Sequence, residues 1–119
     1  MGRMDRFILF GAGLLGLGGV AAAAAGAHAT GDPRLGGSVA LVCLTHAPAL
    51  LALALHGRRG VLTNLVALAL FVGATLFSVD IALRVFDHGR LFAMAAPIGG
   101  MIMMAGWAVL ILSAFAPRR

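Results

Sequence analysis

Charge is scarce in this sequence. Charged residues are 11% of the 119 positions, against about 25% in soluble domains. All nine basic residues are arginines, opposed by four acids. There is one cysteine, Cys43, which excludes an intrachain disulfide and a CxxC metal or redox motif. Inside an apolar run it reads as a small buried hydrophobe. GxSxG, HExxH, a phosphate loop and a paired acid/base carboxylate set are all absent. These absences disfavour an enzyme.

What is present is hydrophobic surface. Hydrophobic residues make up 61% and the mean hydropathy is +1.03, which places the chain in the membrane class. No room for a soluble domain is left once the apolar runs are subtracted. The net charge of +5 invites a nucleic-acid partner, but the arginines sit at or near the ends of the runs. There they anchor helices and set topology, whereas a nucleic-acid surface gathers them on one soluble face.

Four runs are long enough to cross about 30 Å of hydrocarbon. They cover about residues 7–27, 36–55, 61–83 and 91–116. The last, Leu91 to Ala116, organises the rest, because it joins great length to local irregularity. The first also fits a cleavable signal peptide ending at Ala27-His28-Ala29. Its run of about 20 residues exceeds the ~7–15 of a signal core, so a retained helix is expected. Short connections make neighbouring spans alternate in direction. Arg3, Arg6, Arg58, Arg59, Arg118 and Arg119 then share one side, against Arg34, Arg84 and Arg90 on the other. Six against three predicts both termini in the cytoplasm. The expected fold is all-α: one integral-membrane domain over residues 1–119, an antiparallel four-helix bundle.

Few polar groups lie inside the spans. His28, His46, Ser78 and Asp80 are expected to gather as a polar pocket in the outer half of the bundle. Asp80 and Arg84 are four apart with the acid first, the better order for a helical ion pair, and an intramembrane charge is also a functional candidate. His46 reads as hydrogen-bonding glue between helices or as a ligand or proton site. His28, His46 and Asp80 have ligand chemistry for zinc or iron, but no local spacing such as HxxxH supports a site. No metal or cofactor is expected. Pro97, Gly99 and Gly100 predict a kink or opened turn, or close packing against the glycine-rich first span. Gly26 is a further close-packing position. Trp107, beside Gly106, is expected to fill a helix groove while its indole N–H seeks a partner.

Several of these segments, taken together, resemble a known family. Ala25-Gly26-Ala27-His28 resembles its GAFGAH signature, and Thr45-His46-Ala47-Pro48-Ala49-Leu50 its YQxxHxLxL segment. Gly73-Ala74-Thr75-Leu76-Phe77-Ser78 is similar to GxxLFSGS. Ala96-Pro97-Ile98-Gly99-Gly100 with Ala105-Gly106-Trp107 is similar to TPxGGxxFLAGW. The family is the YgdD-like small inner-membrane proteins, domain-of-unknown-function family 423, whose eukaryotic relatives are called transmembrane protein 256. The resemblance spans nearly the whole chain in order. It implies a four-helix inner-membrane protein without a settled activity. Leu44-Thr45 replaces the family's Tyr-Gln, Ala96 replaces its Thr, and Asp80 stands where a small or apolar residue is usual. The family's polar network is therefore thinner here.

The expected role is a non-catalytic structural, lipid-binding or complex-associated module. Its partners are membrane lipids and either further copies of the chain or a larger membrane complex. The rival is a component of a small-solute, ion or proton transporter that uses the outer polar pocket. A metal-dependent membrane enzyme rests only on the two histidines and Asp80.

Overall fold

A computed structural model describes residues 1–57 and 60–117. Arg58, Arg59, Arg118 and Arg119, four of the arginines behind the expected orientation, lie outside the described residues. Every regular element among the described residues is helical. Helix α1 covers Arg3–Ala25 and continues as a π-helical turn, Gly26–Thr30. A second π-helical turn, Leu35–Val39, leads into α2, Ala40–Leu55. Helix α3 is Val61–Val85 and α4 is Ala95–Ser113. All four are long and apolar enough to cross a membrane. Their outsides match, with Phe10, Leu17, Leu41, Ile111 and Leu112 exposed. In water that surface would drive aggregation. In lipid it is the ordinary solvent-facing side.

The helices form two tight pairs, α1 with α2 and α3 with α4, which meet along a sparser seam. The α3/α4 contact is built on glycine. A Cβ placed on Gly73 would stand 2.7 Å from the Gly99 carbonyl oxygen, and one on Gly99 would stand 2.7 Å from that of Gly73. The two backbones therefore touch, as small residues allow between membrane helices. In the α1/α2 pair, Gly19 accepts the Leu44 side chain, and Gly26 lies against the Gly36 backbone and the Leu35 side chain. The core runs through both pairs, with Leu35, Leu50, Val66, Leu70 and Ala74 almost fully buried.

Helix α4 begins at Ala95, four residues later than its apolar run. Residues 91–94 are turns, and Met94 takes a left-handed φ of 69°. This places Pro97 in the first helical turn, where a missing N–H costs no intrahelical bond. The helix then runs to Ser113 without an opened turn. Gly99 packs on Gly73 of α3, not on the first span.

Candidate functional site

Three polar contacts join separate parts of the fold inside the spans. The first links α2 to α4. The Trp107 indole Nε1–H donates to His46 Nε2 at 3.1 Å, and the rings meet edge to face with centroids 5.7 Å apart. Indole only donates, so Nε2 accepts and the imidazole proton sits on Nδ1. That atom donates to the Val42 carbonyl at 2.8 Å. Both ring nitrogens are occupied, as interhelical glue requires. Two residues on, Pro48 interrupts the amide ladder of α2, and the hydroxyl of neighbouring Thr45 donates back to the Leu41 carbonyl at 2.7 Å.

The second contact links α2 to α3. The Cys43 thiol donates to Ser78 Oγ at 3.2 Å, with both residues buried. Neighbouring Thr75 Oγ1 is buried without a hydrogen-bond partner. These three side chains help wall a groove of about 440 Å³ between α1, α2 and α3, whose other walls include Gly18, Ala22 and Leu35. A larger cavity of about 1020 Å³ lies between α2, α3 and α4, and Trp107 lines it.

The third contact belongs to Asp80, only 1% exposed. Its Oδ2 accepts from Arg84 Nη2 at 3.1 Å and from the Ala96 amide at 3.2 Å, and its Oδ1 accepts from the Leu91 amide at 2.9 Å. The carboxylate therefore supplies, from α3, the N-terminal cap that α4 has no side chain of its own to provide. The donors of the first turn are then accounted for. The Ala95 amide donates to the Phe92 carbonyl, Ala96 to Asp80, Pro97 has none, and Ile98 donates to the Met94 carbonyl. A negative group there also suits the helix dipole. The Asp80–Arg84 pair is thus half of a clasp that closes the connection between α3 and α4.

No hydrogen bond among the described residues joins any two of His28, His46, Ser78 and Asp80. His28 is exposed, at the far end of the first helix. His46 is bonded to Trp107, Ser78 to Cys43 and Asp80 to Arg84, Leu91 and Ala96, and among the described residues His28, His46 and Asp80 are not gathered as a metal-binding group. His46, Ser78 and Asp80 each have their own partners instead. Of the irregular positions, Gly26, Gly99 and Gly106 are in close contact, Gly106 against Ala69 and Leu70. Gly100 faces open space and Pro97 is exposed. Sequence reasoning missed Cys43 as the partner of Ser78. A faint signal existed, because Val39, Cys43 and Ala47 recur every four residues along one apolar face. No signal pointed to the Leu91 and Ala96 amides.

Outside the spans, Asp32 and Arg34 close the first connection through two side-chain contacts, 3.2 Å from Arg34 Nε to Oδ1 and 2.9 Å from Nη2 to Oδ2. The Arg34 side-chain and backbone hydrogen bonds hold the Asp32 carboxyl below the usual carboxylate range. The hydrogen bond with Asp32 raises Arg34 in turn, and Asp87 of the third connection adds to that.

A family profile described as "Protein of unknown function (DUF423)" matches residues 22–100. The chain belongs to this family. The match takes in His46, the Cys43–Ser78 contact and the Asp80 clasp, and stops before Trp107. The chain is 32% identical over 69 residues to the UPF0382 inner membrane protein YgdD of Escherichia coli K12, covering 58% of this chain and 53% of that one. It is 31% identical over 61 residues to the UPF0382 membrane protein SH2409 of Staphylococcus haemolyticus, covering 51% and 50%. The chain thus spans about half the length of the curated relatives it matches. No solved structure matches it. With four helices able to span a bilayer and inner-membrane relatives, this DUF423 member is a multi-pass protein of the bacterial inner membrane.

Proposed function

We propose that the chain is a non-catalytic structural module of the membrane that holds lipid along the seam between its helix pairs. One observation carries this reading. His46, Ser78 and Asp80, the intramembrane polar groups best suited to chemistry or transport, are each closed onto protein partners, while the spaces beside them are walled mainly by apolar side chains. A general acid, base or nucleophile needs a free atom facing substrate. A transport path needs polar groups in succession across the bilayer. Purified protein reconstituted into vesicles is expected to leave proton and small-solute fluxes at the protein-free level. A protein-dependent flux abolished by His46→Ala overturns the reading in favour of a transporter.

The same proposal has the helices alternate in direction, with both termini in the cytoplasm. Gly26 meets Gly36 and Gly19 meets Leu44, while Gly99 meets Gly73 and Gly106 meets Ala69. In each pair one residue number rises as the other falls, which supports antiparallel neighbours. In a Cys43→Ser background, Gly60→Cys is expected to be shielded from a membrane-impermeant thiol reagent in intact cells, and Gly31→Cys to be labelled. The reverse pattern inverts the topology.

A further inference from the structure

Helices α2 and α4 hardly meet through their backbones, and the hydrogen bond from Trp107 to His46 reaches across between them. Its acceptor is a titratable atom. His46 Nδ1 holds the ring proton for the Val42 carbonyl, so Nε2 has one lone pair, which takes either the indole N–H or a proton. It cannot take both. Once Nε2 is protonated, two N–H donors face each other across 3.1 Å, and neither ring offers the other a lone pair. The indole face does attract a cation, so the two rings have a second arrangement open to them. The surroundings leave room for the change. Trp107 lines the cavity of about 1020 Å³ and is 38% exposed, while His46 is 8% exposed. That cavity extends from the exposed residues His56, Gly57 and Gly60 to Trp107, which gives protons a way in and the indole a space to swing into. Pro48 leaves the Leu44 carbonyl without its helical amide, which makes α2 pliant at this level.

We propose that the His46–Trp107 bond is a proton-operated latch on the seam. Neutral His46 holds the indole and ties α2 to α4. Protonation of Nε2 frees the indole into the cavity and loosens that side of the seam. The proposal goes beyond the lipid-holding reading and stands whatever occupies the cavity. Few groups compete for the role. Residues 7–25 of α1, residues 61–79 of α3 and the whole of α4 carry no titratable side chain. Further along α3, Asp80 and Arg84 are closed on each other, and Asp80 on the first turn of α4. On α2 itself, Cys43 lies three residues before His46 with its thiol on Ser78. His56 stands ten residues after it, exposed, at the wall of the cavity.

Trp107 is the one tryptophan and the chain has no tyrosine, so tryptophan emission reports on this site alone. The test is the fluorescence of the full chain in phosphatidylcholine nanodiscs, titrated from about pH 8 to about pH 4, the range over which protein histidines change charge. Quenching by acrylamide is measured at both ends. Wild type is expected to show one reversible emission transition, with stronger quenching at the acid end. His46→Gln keeps an amide oxygen for the indole N–H and takes up no proton, so both changes should vanish. His56→Gln should keep both. If His46→Gln fails to fold, His46→Asn, with its shorter amide, replaces it. A flat wild-type emission overturns the latch. So does a transition that survives in His46→Gln, or one that is lost in His56→Gln. A transition in emission with quenching unchanged means that His46 titrates without letting the indole go, and it overturns the release. None of these results bears on whether the seam holds lipid, so the two readings fail separately.

Discussion

The contacts within each helix pair and the contacts between the pairs are built from different materials. Inside α3/α4 there is backbone against backbone at Gly73 and Gly99, with nothing between. Along the seam there are side chains meeting side chains: Trp107 with His46, Cys43 with Ser78, and Phe7 against Phe71 with ring centroids 5.9 Å apart. The difference follows from the solvent. Lipid tails compete with apolar side chains on equal terms, so apolar contact alone does little to hold membrane helices together. Where glycine lets backbones touch, dispersion over many atoms binds tightly. Where it does not, a few hydrogen bonds and ring contacts hold the helices near one another and leave spaces of 440 and 1020 Å³. The pairs are the closely packed part, and the seam is the part that keeps open space.

The sharpest way to break that contrast is to add bulk inside a pair. Gly73→Leu drives a side chain into the Gly99 carbonyl and the Met103 backbone, neither of which yields without parting the helices. The expected loss is about 3 kcal/mol, the upper end of the usual cost of overpacking, read by unfolding in mixed detergent micelles. Gly100→Ala is the control: it is the next residue after Gly99 in α4, but it has open space around it. It is expected to be neutral or to gain up to about 1 kcal/mol. Equal losses in the two variants sink the claim that backbone contact organises the pair.

Asp80 comes next. Asp80→Ala removes the cap of α4, the closure at Leu91 and the partner of Arg84 together. Breaking a buried pair costs about 3–5 kcal/mol. Arg84 keeps 29% of its side chain exposed and can swing outward, so about 2–3 kcal/mol is expected. Asp80→Asn keeps an acceptor for one amide and should recover part of that loss. If Asn is as damaging as Ala, the ion pair matters and the cap does not.

Seam contacts should each matter less. Trp107→Phe keeps the ring and deletes the N–H, and about 1 kcal/mol is expected, within the range of interhelical hydrogen bonds in membranes. Ser78→Ala should cost about 0.5 kcal/mol. A loss at either position as large as that of Gly73→Leu erases the distinction between pair and seam.

Much of this is legible in the sequence, and its limits have a physical pattern. Hydropathy locates all four spans, because lipid demands about 20 apolar residues wherever the chain crosses. It misplaces the start of α4, because Leu91 to Met94 are as apolar as a helix but are turned by a carboxylate on α3. The small residues at Gly73 and Gly99 are visible, yet the sequence points Gly99 toward the first span, since small-xxx-small spacing names a face and not its partner. His46 and Trp107 both stand out as wanting hydrogen bonds, and a separation of 61 residues hides that they satisfy each other. A pocket of His28, His46, Ser78 and Asp80 follows from similar depth alone. Depth is one coordinate. Rotation about each helix axis, which single-sequence periodicity in so uniformly apolar a chain does not resolve, sends these side chains to different neighbours.

The smallest effect belongs outside both pair and seam, at the Asp32–Arg34 contact of the first connection. Its carboxyl is held below the usual range chiefly by the Arg34 side chain. A depressed acid stabilises the fold above its unfolded pKa and loses that contribution as pH falls through the lower, folded value. No change is therefore expected at neutral pH, and any loss should come only below the ordinary carboxylate range, about 3.9. Both groups sit in water, where exposed ion pairs contribute little. Carboxyl-carbon NMR is the direct measurement: the Asp32 midpoint should lie below that of a model aspartate and return to it in Arg34→Gln. A midpoint already ordinary in wild type means that the contact does not persist in solution. The first connection would then rest on the Asp32 amide's bond to Thr30 Oγ1 at 3.0 Å and on the close approach of Gly26 to Gly36.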